Sequence, residues 1–375
     1  MNVLHTECSM NWGGQEYRTL LETLWLNANN HQAWIACHPD SQLFIKGHEY
    51  GVPMIPMDFS KSYLLGTTRA CYRFCKAHKI DVINTHSSRD SILCMPLNYV
   101  HFPVVRSRQI TNPIKKSLSY KIGCRKILAT AEVIKSMLIS KGVNAEKIEV
   151  VGEGIDLKEY SPSVDSTAFR KEFSLSPNTP LVINIGMIRD DKGQRYFLES
   201  ARKVLKTHPN VIYLLVGEAN KDKQLEIELN QLIKNYCLEK NFKMIGYRED
   251  IPQIIAASSI VIVASTGTEA QSRIVPQAFA SRKAVIATKV GGLPELVKER
   301  ETGLLVPPAN PEAMAEATIS LLDNTELKNK LAENGYIMAQ EKLSFSYMME
   351  KTLKLYQKAK LLPCHQKTSK KDKKF

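Results

Sequence analysis

Short apolar segments recur along both halves of the chain, each followed by turn residues or an amphipathic stretch. The first half contains MNVLHT, AWIACHP, VPMIPM, DVINTH, FPVVRSR, KILAT and KIEVVGEG. The second half contains PLVINIGM, NVIYLLVGE, FKMIGY, SIVIVAS, AVIAT and TGLLVPP. Nearly continuous Val, Ile and Leu runs predict strands buried on both faces of parallel sheets that helices cover. The pattern therefore predicts an α/β protein with two doubly wound, Rossmann-like domains facing each other across a deep cleft.

The segment from Gly154 to Pro180 separates these two series of strands. It also contains Pro162 and Pro177 and shows little strand pattern, as is typical of a linker. We predict a first domain over residues 1–160, a second over 161–345, and a helix over 346–362 that packs back on the first. The last residues, 363–375, are too charged to bury a core and predict a disordered basic tail.

Positive charge is concentrated in two zones of a chain whose formal net charge is +13. Residues 106–147 hold ten lysines and arginines against two glutamates, and residues 351–375 hold nine lysines against one aspartate. Such zones favour an anionic partner, which at this point is a membrane surface, a nucleic acid or a phosphorylated substrate. The tail lacks the interleaved aromatic residues of a nucleic-acid binder, so we do not expect nucleic acid to be the partner.

The sequence lacks several features that would place the protein outside the cytoplasm. No apolar run reaches the length of about 18 residues that predicts a membrane span, and MNVLHTECSM is interpreted as a first strand and not a signal peptide. The eight cysteines have no paired spacing, which favours reduced thiols in a cytosolic protein. No Asp-x-Asp pair is available for a divalent metal, and we expect neither a metal nor another cofactor.

Polar residues follow several predicted strands, where ligands bind in open α/β sheets. Gly13 and Gly14 lie between a strand and a helix, a position that suits close approach of an anion but equally suits a simple turn. Arg189 and Lys192 lie in the corresponding loop of the second domain; two cations there suit a diphosphate, and the alternative is a solvated charged loop. His86 ends another strand and faces the expected cleft, unless it is a structural histidine.

Taken in order, these segments resemble the family 4 retaining glycosyltransferases, which have the GT-B fold. The matching segments are WGGQE, DVINTHSSRDS, IGMIRDDKG, LLVGE, IGYREDIPQIIAASSIVIVAS and TEAQSRIVPQAFASRKAVIATKVGGLPELV. They cover nearly the whole chain except the lysine-rich tail. The resemblance implies transfer of a sugar, with retention of configuration and without a metal, from a nucleotide-diphosphate sugar bound by the second domain to an acceptor bound by the first.

The resemblance also assigns roles to residues of this sequence. Arg189 and Lys192 would bind the donor diphosphate, Glu269 would lie near the donor sugar, and His86 would lie near its anomeric carbon. The implied donor-binding residues are Gly13, Gly14, Gly217, Ser272, Arg273, Ile274 and Gln277. Arg106 and Arg108 are candidates for a phosphate or carboxylate of the acceptor.

Two positions depart from the family pattern. Met187 follows the glycine of the strand where an arginine is usual, and Arg189 comes two residues later. Gln277 stands where the family has a second glutamate that binds the ribose hydroxyls; an amide offers one acceptor oxygen where a carboxylate offers two.

We therefore expect a glycosyltransferase that acts on a cell-surface glycan or glycolipid of the lipopolysaccharide type. The basic stretch IKKSLSYKIGCRKI predicts contact with an anionic membrane, which would make the enzyme peripheral on the inner face of the cytoplasmic membrane. A solvated basic helix is the alternative for that stretch. A non-catalytic GT-B-like glycan-binding subunit and a nucleotide-sugar epimerase are the alternatives for the whole chain.

Overall fold

The computed structural model describes residues 1–59, 64–219, 223–267 and 269–363. The chain forms two compact units: unit 1 contains residues 1–151 and the C-terminal segment from Met349, and unit 2 contains residues 152–348. The predicted basic tail lies outside the described residues, apart from its first position. No helix in the described ranges is long and apolar enough to cross a membrane.

Unit 1 is built on a parallel sheet of seven strands in the order β3-β2-β1-β4-β5-β6-β7. Its strands are β1 (Asn2–Thr6), β2 (Gln32–Cys37), β3 (Met54–Pro56), β4 (Val82–Thr85), β5 (Val104–Arg108), β6 (Lys126–Ala129) and β7 (Ile148–Val150). Its helices are α1 (Gly14–Ala28), α2 (Gln42–Glu49), α3 (Leu64–Ala77), α4 (Ser88–Cys94), α5 (Leu118–Lys121) and α6 (Glu132–Ser140).

Unit 2 has a parallel sheet of six strands in the order β10-β9-β8-β11-β12-β13. Its strands are β8 (Leu181–Ile185), β9 (Ile212–Val216), β10 (Phe242–Met244), β11 (Ile260–Val263), β12 (Ala284–Thr288) and β13 (Leu304–Val306). Its helices are α7 (Thr167–Glu172), α8 (Gln194–Val204), α9 (Gln224–Asn235), α10 (Ile251–Ala257), α11 (Ile274–Ala280), α12 (Leu293–Leu296), α13 (Pro311–Asp323) and α14 (Thr325–Lys342).

Both faces of the unit 2 sheet are buried, which explains the continuous apolar runs in the sequence. Along β11, Ile260 and Ile262 pack into one core cluster, whereas Val261 and Val263 pack into the cluster on the opposite face. Each fully buried side chain of this kind contributes about 1.5–3 kcal/mol to stability. Every predicted strand is present, so the predicted fold of two doubly wound α/β domains is confirmed.

The division between the units lies nine residues earlier than the predicted boundary at 160, because residues 152–160 pack in unit 2. Ile155 donates its backbone N–H to Leu343, and its own carbonyl accepts from Phe345, at 2.8 and 2.9 Å. Tyr160 packs with Phe169 in the unit 2 core. The glycines and prolines of this segment indicate a linker, but its apolar side chains anchor it to unit 2.

Helix α15 (Phe345–Leu361) carries the chain from unit 2 into unit 1. In unit 1 its Tyr356 is fully buried, and the Asn84 amide donates a 2.7 Å hydrogen bond to the Tyr356 hydroxyl. Lys360 forms a 2.6 Å ion pair with Asp81 near the rim of the same contact. The helix predicted over 346–362 thus packs on the elements of unit 1, with a buried hydrogen bond at its centre.

Candidate active site

The strand order of unit 1 reverses between β1 and β4, and the residues that follow these two strands surround a cavity of about 390 Å³. In open α/β sheets such a switch point, at the carboxyl ends of the strands, is where ligands bind. Gly14 and His86 line the cavity, and Arg106 and Arg108 of β5 lie on its wall. The structure therefore brings together four of the residues predicted for unit 1.

His86 is held by hydrogen bonds on both its backbone and its ring. Its N–H donates to Asp90 at 2.9 Å, and its Nε2 lies 3.0 Å from Nδ1 of His5. Burial lowers the pKa of His86 well below its usual range, and burial likewise lowers the pKa of His5 to about 3. Nδ1 of His86 is buried without a partner among the described residues. The predicted place of His86 near the anomeric carbon stays a prediction.

Glu7 is a buried carboxylate at this switch point that the sequence analysis missed. It accepts hydrogen bonds from the Ser9 N–H at 2.9 Å, from the Gln15 amide at 2.5 Å and from the Ser87 hydroxyl. Burial raises the pKa of Glu7 despite these three donors. Gln15 and Ser87 both line the cavity, so Glu7 orients two of its polar groups. Its position, one residue after the predicted first strand, was the sequence feature that could have marked Glu7 as a site residue.

Helix α1 begins at Gly14, with Gly13 as its extended N-cap residue. A Cβ at Gly14 would meet no atom within 4 Å, and a Cβ at Gly13 would lie 3.3 Å from the Glu16 carboxylate. Neither glycine is therefore required by packing or by a left-handed backbone. Open space at the start of a helix suits an anion, and the predicted contact of both glycines with the donor stays a prediction.

In unit 2 the strand order reverses between β8 and β11, and the loops after these strands place Lys192 against Glu269. Lys192 Nζ lies 2.7 Å from Glu269 Oε2, and the Ser265 hydroxyl donates to the same oxygen at 2.8 Å. The side chains are 28% and 12% exposed, so the pair is partly desolvated while remaining reachable. Two predicted catalytic residues that are 77 positions apart in sequence thus form one ion pair.

Arg189 has a different partner. Its guanidinium forms a bidentate pair with Asp191, at 2.9 and 2.7 Å, and its side chain is 52% exposed. The neighbouring Asp190 pairs instead with Arg195, at 2.8 Å. In this structure both predicted diphosphate-binding cations are therefore neutralised by carboxylates of unit 2. A cavity of about 390 Å³ lies beside the same loops, and Asp191 lines it.

Glycines allow these loops to approach each other. Gly193 has a left-handed backbone with φ +70°, and a Cβ there would overlap the Ala264 carbonyl in the loop after β11. Gly217, with φ +131°, packs against the Gly186 carbonyl in the same way. Gly217 therefore has a packing role that the sequence did not reveal, and its predicted contact with the donor is untested.

The segment around α11 contains the remaining predicted donor-binding residues. The Ser272 hydroxyl accepts from the Ile274 N–H at 3.2 Å, and Arg273 is the N-cap residue of the helix. Gln277 is only 6% exposed, and its Oε1 is buried without a partner among the described residues. A buried acceptor without a donor costs about 1–3 kcal/mol. The predicted contact of Gln277 with a ribose hydroxyl stays a prediction.

Two family models match consecutive parts of the chain. The model for Glycosyltransferase Family 4 matches residues 12–159, and the model for Glycosyl transferases group 1 matches residues 165–338. Together they cover both predicted domains. The chain belongs to the family 4 glycosyltransferases. Within the described part of this family 4 chain, no group of three or more His, Cys, Asp or Glu side chains is arranged to hold a metal ion.

Individual relatives of this family 4 chain are distant. The D-inositol 3-phosphate glycosyltransferase of Corynebacterium glutamicum (strain R) is 28% identical over 55% of this chain and 50% of that protein. The UDP-Gal:alpha-D-GlcNAc-diphosphoundecaprenol alpha-1,3-galactosyltransferase of Escherichia coli is 23% identical over 70% of this chain and 71% of that protein. The chain spans only 48 to 60% of the length of three matches, the Corynebacterium glutamicum protein among them, so these relatives do not establish its activity.

Solved structures support the same architecture. The crystal structure of Anabaena Alr3699/HepE in complex with UDP matches with a TM-score of 0.85, at 21% identity, over 96% of this chain and all of that one. At this identity the likeness shows the fold alone. The family 4 fold of the chain therefore rests on its own two sheets and on a whole-length structural match.

Proposed function

We propose that this chain is a retaining, metal-independent glycosyltransferase that moves a sugar from a nucleotide-diphosphate sugar to a glycan or glycolipid acceptor. The observation that carries the proposal is the Lys192–Glu269 pair at the unit 2 switch point. The donor would bind in unit 2, and the acceptor would bind in the unit 1 cavity. Names of relatives specify UDP-Gal as donor and lipid-linked or phosphorylated acceptors, which makes UDP-sugars the first donors to test.

The charges of unit 2 suit the bond that must break. Cleavage of the sugar–phosphate bond leaves negative charge on the diphosphate and positive charge on the sugar. Lys192 and Arg189 would stabilise the diphosphate as it leaves, and fixed cations of this kind supply the electrostatic stabilisation that a metal provides elsewhere. Glu269 holds Lys192 at 2.7 Å and would stabilise the developing positive charge on the sugar.

The anomeric configuration of the sugar would be retained if the acceptor hydroxyl attacks on the face from which the diphosphate leaves. In this mechanism the leaving phosphate oxygen takes the proton of the attacking hydroxyl. His86 would act by donating or accepting a hydrogen bond near the anomeric carbon, because burial keeps its pKa low and its ring neutral. Ser272, Arg273 and Ile274 would bind donor oxygens at the start of α11, and Gln277 would bind a ribose hydroxyl.

Lys192→Ala provides the test, because the chain offers a matched control. Lys203 forms an ion pair with Glu312 of the same 2.7 Å length, but its side chains are 40% and 60% exposed and it lies at the far end of α8 from the switch point. We expect Lys192→Ala to weaken UDP binding by about ten- to a hundredfold, the loss of one charge-assisted bond, and Lys203→Ala to leave it unchanged. Equal effects of the two substitutions, measured by calorimetry, would contradict the donor site.

Product analysis tests the reaction itself. A panel of nucleotide-sugars is incubated with a surface-glycan extract, and the anomeric configuration of the product is read by NMR. Retained configuration with full activity in EDTA is the expected result; activity lost on chelation and not restored otherwise would refute metal independence. An epimerase would convert the donor without an acceptor, and a glycan-binding subunit would consume no donor at all.

We also infer that unit 1 contacts an anionic membrane at the cytoplasmic face. Leu118 and Ile122 are exposed beside Lys115, Lys116 and Lys121, which places apolar and cationic groups on one short segment. Each lysine near an anionic surface contributes about 1 kcal/mol of binding, so Lys115→Glu with Lys116→Glu should release most of the protein from anionic vesicles in a sedimentation assay. Binding that does not depend on anionic lipid would favour a merely solvated basic surface.

A further inference from the structure

Two buried arginines line the unit 1 cavity side by side. Arg106 and Arg108 are 3% and 9% exposed. They lie two residues apart on β5, so their side chains leave the same face of the strand. The guanidinium of Arg106 stacks on the Tyr120 ring at 3.4 Å, and Nη1 of Arg108 donates to the Tyr120 hydroxyl at 3.1 Å. Tyr120 therefore fixes both cations at one end of the cavity.

The hydrogen-bond partners found for these two guanidiniums are neutral. Arg106 donates to the hydroxyls of Ser119 and Ser88, and Arg108 donates to the carbonyl of Asn112 besides Tyr120. The Nε atom of each arginine is buried without a partner among the described residues. Buried charges are normally paired, because an unpaired one loses its hydration without compensation.

Nearby carboxylates do not replace the missing partner. Asp90 acts on Arg106 through space, but its two oxygens accept hydrogen bonds from Thr6, His86, Ser87 and Ser91. Glu16 is the acidic side chain on the cavity wall, where it is one carboxylate against two guanidiniums. Among the side chains that line the cavity, two guanidiniums therefore face one carboxylate, and the buried Glu7 behind this wall is already bonded to Ser9, Gln15 and Ser87.

We propose that the acceptor of this enzyme carries a phosphoryl or carboxylate group that Arg106 and Arg108 bind in the unit 1 cavity. This inference rests on the proposed function of that cavity as the acceptor site and narrows its substrate class. Guanidinium groups recognise such oxyanions through paired N–H donors. Gln15, Ser87 and His86, on the same cavity wall, would then bind the hydroxyl groups of the acceptor.

The test measures binding of inorganic phosphate and of acetate to the full-length chain, with chloride at equal ionic strength as reference. Phosphate or acetate should raise the melting temperature of the wild type and slow amide exchange over residues 104–122; whichever acts more strongly identifies the group. Arg108→Gln should weaken that binding about ten- to a hundredfold, in line with the loss of one charge-assisted bond. Arg73→Gln, the same substitution at an exposed position of α3, should leave it unchanged.

Lys192→Ala distinguishes phosphate bound in unit 2 from phosphate bound in the unit 1 cavity. If this substitution abolishes phosphate binding while Arg108→Gln preserves it, the inference is overturned and the donor site stands. If Arg108→Gln fails to fold, amide exchange of the wild type shows whether an anion binds at residues 104–122. Exchange that neither phosphate nor acetate changes would overturn the inference. Anion binding at residues 104–122 without any turnover of a nucleotide-sugar would instead uphold the anion site and refute the proposed function.

Discussion

If Arg189 binds the donor diphosphate as proposed, Asp191 competes with the donor for it, and removing the charge of Asp191 should tighten nucleotide binding. Arg189 must leave its bidentate pair with Asp191 before it can grip a diphosphate. Asp191→Asn removes the competing charge and keeps the shape of the loop, since the backbone carbonyl of Asp191, which accepts from Thr266 and Gly267, is unaffected.

The size of the effect follows from the exposure of the pair. The side chains of Arg189 and Asp191 are 52% and 36% exposed, and an exposed ion pair contributes only about 0.2–1 kcal/mol. Affinity for UDP should therefore rise by about 1.4- to 5-fold in Asp191→Asn. The gain should shrink at high salt, where exposed charges are screened within about 3–10 Å.

Asp190→Asn is the matched control, because it makes the same charge change one residue away. Asp190 pairs with Arg195, which Glu228 also holds by two hydrogen bonds of 2.6 and 2.5 Å. Its removal therefore frees no arginine. Calorimetry with UDP at low and high salt compares the two variants. An equal gain in UDP affinity in both variants would mean that only the overall electrostatic field near the loop had changed. That result would refute the role of Arg189 at the diphosphate.

Three further predictions concern single positions. Gln277→Glu should tighten UDP binding several-fold in a calorimetric titration, as a charge-assisted bond replaces a neutral one; unchanged binding would place residue 277 outside the donor site. Gly193→Ala should lower the melting temperature, because the new Cβ would overlap the Ala264 carbonyl and residue 193 has a left-handed φ. Gly14→Ala should not lower it, because a Cβ there meets no atom within 4 Å. Buried, neutral His5 has a pKa lowered from 6.5 to about 3, so its contribution to stability is lost as pH falls below about 6.5, by up to about 1.4 kcal/mol per pH unit. Urea unfolding at pH 7 and pH 5 should therefore show a shallower loss in His5→Leu than in the wild type, and parallel losses would refute this.

The sequence predicts the sheets well because each strand of a parallel sheet is apolar over its whole length. Ile260 to Val263 is buried on both faces, and no distant information is needed to recognise such a run. The domain boundary depends on tertiary contacts instead. Ile155 and Tyr160 lie in a segment with linker composition, yet they pack in unit 2.

Prediction of the candidate site is limited in the same way by tertiary contacts that the sequence does not reveal. Position after a strand is readable from sequence and indicated His86 and Lys192 as candidates, whereas Glu269 came from the resemblance to family 4. Which charges pair is not readable, because Asp190 and Asp191 adjoin both Arg189 and Lys192 in sequence, whereas Glu269 is 77 positions from Lys192 and meets it only in the fold. Thus Lys192 pairs with Glu269, whereas Arg189 pairs with Asp191. Glu7 was missed because a single acidic residue after a strand has no distinguishing pattern without its partners.

The path of the chain through the two units has a consequence for biosynthesis. Residues 1–151 are translated before unit 2, but unit 1 lacks Tyr356 and the rest of α15 until unit 2 has been translated. Unit 2, in contrast, is continuous in sequence and is fully translated earlier. Because domains generally fold as units during synthesis, the middle of this chain can finish folding before its beginning. A chain interrupted between Met349 and Tyr356 would therefore contain all of unit 2 but an unfinished unit 1.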